Sequence, residues 1–77
     1  MVTVLRELGL RIVIFLDDQE SAHVHVFGDG EAKVNLRSDP PRLIWAIGMS
    51  RSDIRKAVRI VAENRLQLLA RWEEIHG

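Results

Sequence analysis

Seventy-seven residues without a cysteine make one small domain that must hold together by packing alone; disulfides and cysteine-based metal centres are excluded. Eleven basic and eleven acidic residues cancel, which argues against a strongly basic nucleic-acid binder, and 47% hydrophobic with 29% charged residues is an ordinary globular balance. No apolar run approaches the ~18 residues of a membrane helix.

The chain divides into short elements without an internal repeat or linker. Residues 2–6 read as an edge strand, punctuated by Gly9. Residues 10–16, LRIVIFL, have the Ile, Val and Phe content of a central strand. A polar loop follows at residues 17–21. Residues 22–27 and 31–37 alternate apolar and polar positions around Gly28-Asp29-Gly30, the pattern of a β-hairpin, with the glycines expected to supply positive φ. That loop lacks the strand-to-helix context and the Lys-Ser/Thr pair of a phosphate-binding loop. Pro40 and Pro41 end the sheet, because proline cannot donate to a ladder. Residues 42–49, RLIWAIGM, fit a helical turn or a fifth strand; their brevity and Gly48 favour the turn. Ser50 then reads as an N-cap with Asp53 three residues on, opening a helix over residues 51–75. Its apolar residues, Ile54, Ala57, Val58, Val61, Leu68, Leu69, Trp72 and Ile75, recur near the helical period.

The expected fold is α+β: a small, mainly antiparallel sheet of three to four strands with one long C-terminal helix packed on one face. Val24, Val26, Val34, Leu36, Ile54, Val58, Val61, Leu68 and Trp72 are the expected core. A helix of some 25 residues spans about 37 Å, longer than strands of ~17–20 Å can cover. The excess, together with a core worth only ~3–5 kcal/mol at this chain length, points to a homo-oligomer, with a dimer expected.

Chemistry is concentrated on one side of the hairpin. Val24, Val26, Ala32, Val34 and Leu36 share the core face, and His23, His25, Lys33, Asn35 and Arg37 share the other. Imidazoles suit acid and base roles near neutrality. His23 and His25 are therefore candidate catalytic residues for metal-independent RNA cleavage, with Lys33, Asn35 and Arg37 as phosphate contacts. The plainer reading makes both histidines half-exposed strand residues. A zinc site from the histidines with Asp17, Asp18 or Glu20 lacks a third ligand at diagnostic spacing, so no metal and no cofactor is expected. Arg51, Arg55 and Arg59 form a line at four-residue spacing, a candidate phosphate-binding face whose plainer reading is solvated helix. Trp45 and Trp72 read as core or interface anchors.

Several of these pieces occur together in a known family. Val2-Thr3-Val4-Leu5-Arg6, the strand from Arg11 to Leu16, His23-Val24-His25-Val26, Glu31-Ala32-Lys33, the segment from Ser50 to Asp53, and Leu68-Leu69 followed by Trp72 cover nearly the whole chain. In this the chain resembles the short bacterial proteins of the domain-of-unknown-function family 4160. The resemblance implies no settled activity; it implies gene pairs that look like toxin–antitoxin modules. The expectation is a cytoplasmic component of such a pair, binding a small cognate protein and, as a further candidate, RNA, with no membrane. The alternatives are a metal-independent endoribonuclease using the histidine face and a structural interaction module without catalysis.

Overall fold

The computed structural model describes residues 1–17 and 21–77. Five strands, β1 (Val2–Glu7), β2 (Leu10–Ile14), β3 (His23–Phe27), β4 (Glu31–Asn35) and β5 (Arg42–Ile47), precede two helices, α1 (Arg51–Glu63) and α2 (Arg65–His76). Each strand pairs antiparallel with the next in sequence, so β1 and β5 are the edges of a meander. The α+β class and antiparallel sheet are as the sequence implied. The sheet of three to four strands and the single long helix are not.

The added strand is β5, where a turn was expected. It pairs with β4 from Glu31↔Ile47 to Asn35↔Arg42, with a register shift between Lys33 and Val34. Six residues of almost continuous apolar sequence carry no period of their own. The open edge of β4 offers them a ladder and satisfies the backbone groups on the side that faces it. β2 and β4 are shorter than expected, ending at Ile14 and Asn35. The Asn35 Oδ1 accepts a 2.7 Å hydrogen bond from the Arg37 amide and turns the chain off the sheet.

The turns show two uses of glycine. Leu8 and Gly9 have φ of 54° and 79°, the paired left-handed residues of a type I′ hairpin. Gly28 and Gly30 do not have positive φ, contrary to the sequence expectation. Gly30 is needed for space: a β-carbon there would collide with the Ile47 carbonyl and the Gly48 backbone, so glycine lets the β3–β4 loop lie against the end of β5.

The helix expected over residues 51–75 is two. Ser50 caps α1 as read, its Oγ accepting from the Asp53 amide at 3.1 Å. At Asn64 the backbone leaves helical geometry (φ −117°, ψ 17°). The Asn64 Nδ2 donates to the Ile60 carbonyl at 2.8 Å, so a side chain closes the end of α1. Arg65 then anchors the start of α2, its Nε donating to the carbonyls of Leu36 at 2.9 Å and Ser38 at 3.0 Å. With the helix broken and Trp72 buried inside one chain, the overlong helix no longer argues for a dimer. Among the described residues no helix is long and apolar enough to cross a membrane.

One apolar cluster joins Leu10, Ile12, Ile14, Val24, Val26, Val34 and Leu36 of the sheet and its margins to Ala57, Ile60, Val61, Leu68 and Trp72. Ile54 and Val58, expected in this core, are only partly buried. Ile60 takes their place, because the face of α1 that meets the sheet is rotated from the one the period suggested.

Candidate functional site

The register assembles the expected polar face. His23 lies opposite Asn35, His25 opposite Lys33, and Lys33 opposite Trp45. Side chains at these positions project away from Val24, Val26 and α1. Sequence alternation therefore located the face correctly, but not its exposure. His23 and His25 are 2% and 7% exposed, where half-exposed rings were expected.

Aromatic rings from other segments cover them. The Phe15 ring meets His25 edge-on at 4.5 Å, Trp45 lies 5.9 Å from it, and His23 lies 5.2 Å away. Trp72 of α2 approaches His23 at 5.0 Å while also belonging to the apolar cluster. Each Nδ1 faces a group that can only accept, so each Nδ1 carries the proton. His23 donates to the Ser21 carbonyl and His25 to the Glu31 carboxylate, both at 2.8 Å.

A carboxylate-held imidazole has the orientation of a general base. Here the same contacts bury it, and little ring surface remains for a substrate. Glu31 was not among the site candidates read from the sequence, although strand parity places it with Lys33 and Asn35 on the histidine side. Phe15 and Trp45 were missed as neighbours because one follows β2 and the other lies on the unexpected β5.

The remaining candidates disperse. Arg37 lies beyond β4, 3.5 Å from Glu73. Asn35 is occupied in the turn that ends β4. Arg51, Arg55 and Arg59 stand on α1, whose inner residues pack on the opposite side of the sheet, so they do not join the histidines. Arg59 pairs with Glu63 at 3.7 Å and Lys56 with Asp53 at 4.0 Å. Asp18 and Glu20, weighed as zinc ligands, lie outside the described residues; Asp17 is exposed. Among the described residues no three His, Asp or Glu side chains are grouped as a metal site.

A second feature emerges at the β5 edge. Leu43, Ile44 and Ile47 are 38%, 50% and 69% exposed on a strand with one unpaired side. No curated protein and no solved structure matches the chain. Residues 9–73 do match the model of the family described as a domain of unknown function (DUF4160), and the chain belongs to that family.

Proposed function

We propose that the chain is the protein-binding component of a two-protein pair of the toxin–antitoxin type, and that it holds its small cognate protein through the β5 edge and the adjoining rim of the histidine face. The observation that carries this reading is the exposed apolar edge itself. An unpaired strand bearing Leu43, Ile44 and Ile47 is a template for another chain unless a partner covers it. Trp45 links that edge to the histidine face, which gives a contact surface with an aromatic anchor.

The geometry favours a scaffolding role for the histidines over a catalytic one. Their rings are packed among Phe15, Trp45 and Trp72, and both Nδ1 atoms are engaged. Endoribonuclease activity remains the alternative carried by the 2.8 Å contact of His25 with Glu31.

The test is co-expression with the product of the adjacent gene, followed by co-purification and titration calorimetry. Ile44→Lys is expected to weaken the complex by at least about tenfold, and His25→Phe, which keeps the packing, to leave it within about threefold. Unchanged affinity in Ile44→Lys overturns the reading. Cleavage of RNA by the purified chain, lost in His25→Phe, establishes the alternative.

A further inference from the structure

We propose that the β5 edge accepts an extended segment of the partner protein, apolar at its centre and acidic at both ends, as a sixth strand of the sheet. This rests on the reading of the chain as a protein-binding component and adds the chemistry of what it binds.

The two edges of the sheet are built differently. β1 directs Val4 and Leu5 onto the core and places the exposed, charged Arg6 and Glu7 at its end. Charges of this kind discourage edge-to-edge pairing. β5 has no acidic residue and no lysine, and its exposed side chains are apolar from Leu43 to Ile47. Backbone donors and acceptors on its outer side can pair with an extended segment, while Leu43, Ile44 and Ile47 select apolar side chains on it.

Cations stand at the two ends of this apolar run. Arg42 opens β5. Arg51 and Arg55 occupy the first two turns of α1, which begins just after β5 and packs over β4 and β5. None of the three has a carboxylate within ion-pair distance among the described residues, whereas Lys56, Arg59 and Arg71 on the same helices all do. Carboxylates at both ends of an added strand would meet these guanidinium groups.

The same charges discriminate against a second copy of this chain. Two-fold antiparallel pairing of β5 with itself about Trp45 sets Arg42 of each copy opposite Gly48 of the other, beside Arg51. Like charges then gather at both ends of the ladder, which is unfavourable. A nucleic acid would satisfy the cations but leave the apolar centre uncovered.

The test titrates the isotopically labelled full chain with the peptide Glu-Asp-Ile-Thr-Val-Thr-Ile-Asp-Glu and with a version carrying lysine at each acidic position. The acidic peptide is expected to shift the β5 amides and to bind at least about tenfold more tightly than the lysine peptide. The double variant Arg42→Glu/Arg51→Glu, its fold checked by circular dichroism, should reverse that preference. Equal binding of both peptides, no binding, or shifts confined to other elements overturns the proposal. So does a dimer of the free chain that Ile44→Lys dissolves, which gives the edge to a second copy, or displacement of the acidic peptide by oligouridine. If the cognate protein still binds in an Ile44-dependent manner while the peptides fail, the binding role stands and only this partner chemistry falls. If the cognate protein does not bind the wild type, both fall.

Discussion

The two faces of the β3–β4 hairpin are held by different means, and along residues 23–26 of β3 they are buried almost equally. On one, Val24, Val26, Ala32 and Val34 are packed under α1 by apolar contact alone. On the other, His23 and His25 reach nearly the same burial through aromatic rings, a carbonyl and a carboxylate. Burial thus says little by itself about what a face does. The apolar face is stabilised by area removed from water and by dense packing. The histidine face depends on directed contacts, each of which must be satisfied because an unmet buried donor is costly.

Trp72 tests where the faces meet, since it packs on the apolar cluster and lies 5.0 Å from the His23 ring. Trp72→Ala is expected to cost about 3–5 kcal/mol. In a chain of this length that is comparable with the total stability. Urea denaturation should find the variant largely unfolded, and a folded variant would show that α2 contributes little to either face. Ile60→Ala, confined to the apolar side, should cost about 2–5 kcal/mol and Val34→Ala about 1–3 kcal/mol. Neither change should disturb the ring resonances of His25. If both perturb that ring while the variants stay folded, the faces are not independent.

The contrast between the faces also marks what the sequence could reveal. Period-two alternation at Val24, Val26, Val34 and Leu36 is a local property, and it made the apolar side legible. The cap at Ser50 is local as well. The cover over the histidines is not, because Phe15, Trp45 and Trp72 come from three separate segments. β5 escaped because RLIWAI is apolar without alternation and long enough for either a strand or a turn. The break at Asn64 escaped because asparagine costs little within a helix and apolar residues continue beyond it. The non-helical backbone at Asn64 and the hydrogen bond from its side chain to Ile60 show the helix ending there. Arg51, Arg55 and Arg59 were correctly placed in a line, yet on the wrong side of the sheet for the site, which no helical period can disclose.

Arg65 holds α2 where Trp72 can join the two faces, through carbonyl contacts at Leu36, Ser38 and, at 3.3 Å, Arg37. Arg65→Ala should cost about 1–3 kcal/mol. Hydrogen exchange should show α2 losing protection before the hairpin does. Equal loss in both would mean that the two are one cooperative unit and that the anchor acts globally.

The smallest effect separates hydrogen bonding from charge on the histidine face. Glu31→Gln keeps an oxygen that can accept from the His25 Nδ1 and removes the charge, so it should cost no more than about 1 kcal/mol. Glu31→Ala removes the acceptor, and at a 2.8 Å contact to a ring this buried the loss should rise to about 1–3 kcal/mol. His25→Phe has no donor to satisfy and retains an aromatic ring against Phe15 and Trp45. In that background Glu31→Ala should cost much less than it does alone, giving a coupling energy of about 0.5–2 kcal/mol in a double-mutant cycle. Additive effects would mean that the carboxylate does not hold the ring, and that aromatic packing alone fixes His25.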